Sequence, residues 1–235
     1  MRRIAFLTDV HLDEQFPIDN DVDPYENLRI TLNDLSKRNI TEIVVGGDIG
    51  EASSHEYFFD VLNQFSFKVI LGNHDKFDEV KKHFSRDADK PELYYKEEDD
   101  NCLYIFLDTS SDEISENQLN WLKSELNNGK AVVLFVHHPV LAINTPVDIL
   151  YPLKSRERLK SILLEHNNSV TIFCGHYHMN DEQEEENVKQ IITQSLSYQL
   201  EKDAPEIKVR NSDFGYRIIE VNENKVEHRL IQFQS

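Results

Sequence analysis

Short apolar runs alternate with segments of helical period along most of this chain, and five of the runs end in a polar cluster. Ile4–Thr8 is followed by Asp9-Val10-His11, Ile43–Val45 by Gly46-Gly47-Asp48, and Phe67–Leu71 by Gly72-Asn73-His74-Asp75. Val132–Val136 leads into His137-His138-Pro139, and Val170–Cys174 into Gly175-His176-Tyr177-His178. Short apolar runs bounded by turn formers are the pattern of buried strands, and strands separated by helical segments predict an α/β architecture. Ligands of open α/β sheets collect beyond the carboxyl ends of the strands. The clusters are therefore expected to project from one edge and to converge there.

A further run, Leu103–Leu107, completes the predicted strands of the first two thirds of the chain. Between the runs, Asp23 caps a predicted helix with Pro24 in its first turn, Glu26 completes the cap, and Leu28, Leu32 and Leu35 share a face. Ser115 and Gln118 form a second capping box ahead of Leu119, Leu122 and Leu126. A third helix is expected over Ser155 to His166, with Leu159, Ile162 and Leu163 inward. Toward the end, Ile191-Ile192-Thr193, Tyr216–Val221 and Val226–Ile231 read as antiparallel strands around an Asn222-Glu223-Asn224 turn. With no repeat or low-complexity linker, residues 1–235 read as a single domain.

The chain carries 43 acidic and 25 basic residues, a formal charge of −18. Polymeric nucleic acid is a poor partner for such a surface, because binding depends on lysine and arginine displacing counterions from phosphates. An anionic substrate needs something local to reverse the potential, which bound divalent cations do. The acidic stretches Glu97 to Asp100 and Asp181 to Glu186 read as solvated loops. No segment approaches the roughly 20 apolar residues of a membrane span, and the apolar stretch after Met1 is too short for a signal-peptide core. Cys102 and Cys174 lie in apolar runs and are expected as buried free thiols, hence a cytoplasmic protein.

The clusters have the chemistry of a metal site. Asp9 and His11, two residues apart on an extended segment, point the same way, and His176 and His178 repeat the spacing. Asp48 offers a carboxylate able to bridge two cations, Asn73 a neutral carbonyl oxygen, and His137 another imidazole. Imidazole with carboxylate suits zinc, iron or manganese, and the absence of thiolates from the clusters excludes a zinc finger. Gly47, Gly72 and Gly175 keep side chains out of the way. Singly, each cluster has a plain alternative as a cap or a turn. Together and in this order they point to function.

In that order the motifs resemble the calcineurin-like metallophosphoesterase superfamily, whose pattern is Asp-x-His, Gly-Asp-x-x-Asp/Glu, Gly-Asn-His-Asp/Glu, His and Gly-His-x-His; all are matched between Asp9 and His178. The nearest likeness is to the bacterial class III 3′,5′-cyclic nucleotide phosphodiesterase branch, through Leu107-Asp108-Thr109, Gln118–Leu122, His137-His138-Pro139, Thr193–Gln199 and Phe214–Arg217. Val140 departs from that branch, which usually has a second proline there. The resemblance implies a four-layer αββα sandwich of two facing mixed β-sheets with flanking helices. It also implies two divalent ions, with Asp9, His11 and His178 on the first, Asn73, His137 and His176 on the second, and Asp48 bridging. His74 corresponds to the non-ligand histidine that contacts the phosphate and assists the leaving group. Asn73, His74 and His138 are the expected substrate contacts, His138 alternatively as a packing residue.

The resemblance implies a hydroxide shared by two cations as the nucleophile of phosphate-ester hydrolysis. A diester, 3′,5′-cyclic nucleotides foremost, is the expected substrate. A phosphomonoesterase, a nucleotide or glycerophosphodiester hydrolase, and a catalytically silent scaffold are the alternatives. Protein phosphatases and purple acid phosphatases fit less well, because the run after Asp48 is Ile49-Gly50-Glu51-Ala52, without the former's arginine or the latter's tyrosine. Phe16, Tyr25, Tyr198 and Phe214 read as core residues, with purine stacking as the alternative. Oligomeric state stays open, a homodimer included.

Overall fold

The computed structural model describes residues 1–86, 91–223 and 225–234. In chain order its elements are β1 (Arg2–Leu7), α1 (Gln15–Asp19), α2 (Pro24–Lys37), β2 (Glu42–Val45), α3 (His55–Leu62), β3 (Ser66–Val69), α4 (Phe77–Val80), β4 (Tyr95–Glu98), β5 (Cys102–Phe106), α5 (Glu116–Glu125) and β6 (Ala131–Phe135). There follow α6 (Pro146–Leu150), α7 (Arg156–Leu164), β7 (Val170–Cys174), β8 (Asp181–Glu185), β9 (Val188–Ile192), β10 (Gln199–Leu200), β11 (Val209–Arg210), β12 (Asp213–Asn222) and β13 (Lys225–Gln234). One sheet has the order β13-β12-β1-β2-β3 and a second the order β4-β5-β6-β7-β9-β8. Both are mixed, and helices cover them in the αββα arrangement that the motifs imply.

Aromatic rings fill the space between the sheets. Phe6 of β1 lies 5.7 Å from Phe135 of β6 and 6.4 Å from Phe173 of β7, while Phe106 stacks on Phe135 at 5.1 Å and on Tyr95 at 4.5 Å. A second core of Leu103, Ile105, Leu134 and Ile172 meets Leu119 and Leu122 of α5 and Leu159 and Leu163 of α7. The N-cap residues act as read, but the return halves of the two capping boxes do not, and the Glu26 carboxylate pairs with Arg29. The Asp23 carboxylate accepts from the Glu26 amide at 3.1 Å, and Ser115 Oγ from the Gln118 amide at 3.2 Å. The Gln118 side chain does not return the cap: it bonds the Asp108 amide and carbonyl at 2.9 and 2.8 Å, tying α5 to the end of β5.

Two strand expectations are corrected. Residues 191–193 are not in a purely antiparallel setting: β9 runs parallel to β7 and antiparallel to β8. The acidic stretches are not loops throughout. Glu97 and Glu98 lie in β4, where Glu97 meets Arg2 and Lys68 across the molecule, and Asp181–Glu185 form edge strand β8. Charged edge strands deter pairing with other chains, so negative charge and strand structure coexist there. The hairpin of β12 and β13 lies where expected, and Asn224 of its turn is outside the described residues. Cys102 and Cys174 are buried free thiols.

Parallel pairing puts the carboxyl ends of β1, β2 and β3 on one edge, and those of β5, β6, β7 and β9 on another. The five polar clusters emerge from these ends.

Candidate metal centre

The backbone at these strand ends is not extended. Asp9, His11, Asp48, His176 and His178 all have left-handed φ, at 56°, 55°, 53°, 66° and 45°. Asp9 and His11 therefore face one way because of two left-handed residues around Val10, not because the segment is a strand. The amides of Val10 and His11 both donate to the Asp48 carbonyl, at 2.8 and 3.0 Å, which locks the β1 and β2 ends together. Such conformations cost about 1–3 kcal/mol each and persist where the surroundings enforce them. Close approach enforces them here. A Cβ at Gly72 would sit 2.1 Å from Asp48 Oδ1, and one at Gly175 would sit 2.3 Å from Asp9 Oδ2.

His11, Glu14 and His74 bring ligand atoms within 4.8 Å of one another, and the two groups drawn from the sequence clusters do the same: Asp9, His11 and His178, and Asp48, His137 and His176. Asp48 Oδ2 connects them, 3.2 Å from His137 Nε2 and 3.8 Å from His11 Nε2, while Oδ1 is spent on the His74 amide at 2.9 Å. Asp9 Oδ1 lies 3.2 Å from His178 Nε2, and both Asp9 oxygens accept from the His176 amide at 3.1 Å. The Asn73 side-chain oxygen is buried without a hydrogen-bond partner.

Each imidazole is held by the nitrogen that faces away from the cluster. His137 Nδ1 bonds the Gly46 carbonyl at 2.8 Å, His178 Nδ1 the Tyr198 carbonyl at 2.9 Å, and His11 Nδ1 lies 2.9 Å from Glu14. His176 is reversed, with Nε2 3.0 Å from the Tyr151 carbonyl, which leaves Nδ1 to the cluster. An acceptor on one ring nitrogen fixes the tautomer that offers the other's lone pair.

Burial disfavours charge on His137, but Asp48 and Asp9 more than reverse this and hold it up at about 10. His11 is also raised, by Glu14 and Asp48 against burial. Burial pushes His176 down to about 4. Asp9 and Asp48 would be raised by burial, yet the facing histidines draw both below the usual carboxylate range. Without cations, the raised His137 and His11 face the two buried carboxylates. The donor set, the unpartnered Asn73 oxygen and two buried carboxylates faced by imidazoles fit a pair of divalent ions.

His74 is half-exposed and lines the cavity over the cluster. Its Nδ1 lies 3.1 Å from Glu14. The neighbouring Asp75 is a plausible orienting group from sequence, but its carboxylate is taken by three backbone amides, of Asp48, Ile49 and Gly72, at 2.8, 3.0 and 2.9 Å. The carboxylate beside the ring is that of Glu14. It was not singled out in the sequence, and its only local signal is its place three residues after His11.

The cavity, about 400 Å³, is walled by His11, Asp48, Asn73, His74, His176 and His178 on one side and by Phe16, Val147, Tyr151, Tyr198, Leu200 and Ile207 on the other. Phe16 is thus an exposed wall residue in contact with Tyr198 at 5.0 Å, not core, and Tyr198 also belongs to the wall. Phe214 is core, and Tyr25 bonds Asp13 at 2.8 Å. His138 is buried behind His176, ring to ring at 4.1 Å, with Nδ1 on Thr109 Oγ1 at 2.8 Å, so it packs instead of facing the cavity.

A family model described as calcineurin-like phosphoesterase matches residues 2–180. A relative in Fibrobacter succinogenes named a probable cyclic nucleotide phosphodiesterase is 27% identical over 97% of this chain and 93% of its own. One of the same name in Psychrobacter arcticus is also 27% identical, over 93% of this chain and 88% of its own. Among solved structures, a dimetal phosphatase from Danio rerio superposes with a TM-score of 0.67 over 99% of this chain and 98% of that one, at 14% identity.

Proposed function

The chain belongs to the calcineurin-like phosphoesterase family, and we propose that within it this protein is a phosphodiesterase of small diesters, with 3′,5′-cyclic nucleotides the first candidates. It is a metal-dependent phosphoester hydrolase. In our reading Asp9, His11 and His178 hold one cation, Asn73, His137 and His176 the other, and Asp48 bridges them. The observation that carries the reading is the position of Asp48 Oδ2 between an imidazole of each group, at 3.2 and 3.8 Å.

Bound there, two divalent cations, manganese, iron or zinc, supply Lewis acidity toward the phosphoryl oxygens and lower the pKa of an attacking water. The residues of the chain do the rest. Asp9 and Asp48 offset part of the charge of the pair, leaving the centre positive toward an anionic ester, and the acceptors behind each ring hold the imidazoles in one orientation. His74, raised to about 9 in the metal-free protein chiefly by Glu14, faces the cavity. In this reading it donates a proton to the departing oxygen.

Diesters are favoured over monoesters by the cavity wall, whose residues include no lysine or arginine to hold a second negative charge. Phe16, Tyr151 and Tyr198 offer flat apolar surface of the kind a nucleobase stacks on. The names of the relatives agree with this. Buried free thiols support a reducing, cytoplasmic setting.

The test is a panel of cyclic nucleotides, linear diesters and monoesters, assayed after reconstitution with manganese, iron or zinc. Diesters should show the higher kcat/KM. Monoesters turned over ten times better, about 1.4 kcal/mol of transition-state preference, would replace this reading with a phosphomonoesterase.

A further inference from the structure

Glu14 stands outside every motif that marks the site, yet it touches two of its histidines. It occupies the position before α1, and its carboxylate makes no capping bond there. Its Oε2 lies 2.9 Å from His11 Nδ1 and 3.1 Å from His74 Nδ1, and its side chain is 11% exposed. The two rings meet edge to face at 4.9 Å and 85°. We propose that Glu14 is a positioning residue, whose single carboxylate oxygen orients the metal-facing ring of His11 and the leaving-group acid His74 together.

The proposal rests on the reading of this site as a two-metal phosphodiesterase. Both Nδ1 atoms lie within hydrogen-bonding distance of that one oxygen, and in this proposal each ring turns its Nδ1–H to it. For His11 this leaves the Nε2 lone pair to the cluster, where Nε2 already lies 3.1 Å from His178 Nε2 and 3.8 Å from Asp48 Oδ2. For His74 it leaves Nε2–H as the proton to be given away. As the P–O bond breaks, its electron pair goes to the leaving oxygen, which takes the Nε2 proton, and the ring remains neutral with Nδ1–H still on Glu14. The other metal-facing histidines are held by backbone carbonyls, which no substitution removes. Glu14 is a side chain, and so this link can be cut.

The experiment compares Glu14→Ala and Glu14→Gln with the wild-type chain, after thermal melts show that they fold. Manganese chloride is titrated calorimetrically into chelator-treated protein, and kcat is measured at saturating manganese on substituted phenyl methyl phosphates whose phenols range from strongly to weakly acidic. Glu14→Ala should weaken manganese binding about 10–100-fold. It should also steepen the dependence on leaving group, losing about 100-fold on the least acidic phenol and little on the most acidic. Glu14→Gln, which keeps an acceptor oxygen, should recover part of both. In a His74→Ala background, Glu14→Ala should add nothing to the steepening.

Unchanged manganese affinity with an unchanged leaving-group slope overturns the proposal. So does an equal loss on every ester with a lowered melting temperature, since that is a structural role. Three manganese ions per chain, falling to two in Glu14→Ala, would also overturn it by putting a cation where two protons are assigned. If the wild-type chain hydrolyses none of the diesters, the proposed function fails by itself, and the titration still decides whether Glu14 orients His11.

Discussion

Two buried regions meet at the strand ends, and they are built by opposite rules. Between the sheets, Phe6, Phe106, Phe135 and Phe173 pack ring on ring with no polar atom to satisfy. Just beyond the ends of β1, β2 and β7, the backbone turns left-handed at Asp9, Asp48 and His176, and two carboxylates are buried with imidazoles as partners. The first region is close-packed and pays entropy for apolar contact. The second holds strain, buried charge and an unpartnered amide oxygen, which are stable only because the rigid first region imposes them. The chain thus separates stability from chemistry along each strand, and substitutions in the two regions should have opposite signatures.

Asp48→Ala should have the largest effect. It removes the carboxylate shared by both donor groups, and we expect kcat on an activated diester to fall by at least ~10³-fold, about 4 kcal/mol of barrier. The melting temperature of metal-free protein should fall as well, because His137 loses its buried partner, but the loss of metal and of kcat should be out of proportion to that fall. Manganese content by elemental analysis and a thermal melt decide the matter. Full activity without metal would break the comparison and the mechanism with it.

His74→Ala comes next. General acid catalysis supplies about 10²–10⁴-fold where the leaving group is a basic alkoxide and little where it departs unaided. We expect a loss in that range on a cyclic nucleotide, whose leaving group is a ribose oxygen, and a much smaller one on a p-nitrophenyl diester. Both metals should remain bound. Equal losses would make His74 a phosphate-positioning group, and a lost metal would make it a ligand.

The contrast also explains what the sequence discloses. A strand between two layers must be apolar for its whole length, so Val132–Val136 and Val170–Cys174 are legible, and the polar residues that follow stand out against them. Local chemistry sufficed for Asp9, His11, Asp48, Asn73, His137, His176 and His178 to be picked out. It was insufficient for whatever depends on contact between distant residues. Glu14 is informative only once β3 brings His74 beside it, and the three amides that occupy Asp75 come from two separate strand ends. The left-handed turns were invisible because Asp and His tolerate them without announcing them. Edge strand β8 was missed because its acidic residues carry no apolar period.

In the packed region, Phe135→Ala should cost about 3–5 kcal/mol through lost burial and a cavity. At roughly 2–4 °C per kcal/mol for a chain of this size, the melting temperature should drop by about 6–20 °C. The kcat per folded molecule, measured well below the transition, should change little. A collapse of kcat at full folding would show that the two regions are not separable.

The smallest effect per step is a dependence on pH. In metal-free protein His137 is held at about 10 and His74 at about 9, both above the ordinary histidine value near 6.5. A group whose folded value is raised adds stability below its unfolded value and loses it as pH climbs toward the folded one. The window is therefore about pH 6.5 to 10, and stability should fall across it by up to about 1.4 kcal/mol per pH unit for each proton involved. Divalent ions require neutral His137, so their binding at pH 7 must expel protons, and apparent affinity should rise across the same window. Calorimetric titration of manganese at pH 7 in buffers of different ionisation enthalpy counts the protons released, and melts from pH 6.5 to 10 with and without manganese measure the gap. We expect the metal-free melting temperature to fall with pH and the gap to widen. Replacing His137 by glutamine should flatten the metal-free slope. A metal-free slope that is the same in that variant would mean that His137 carries no extra proton, and the charge balance of the empty cluster would have to rest on other groups.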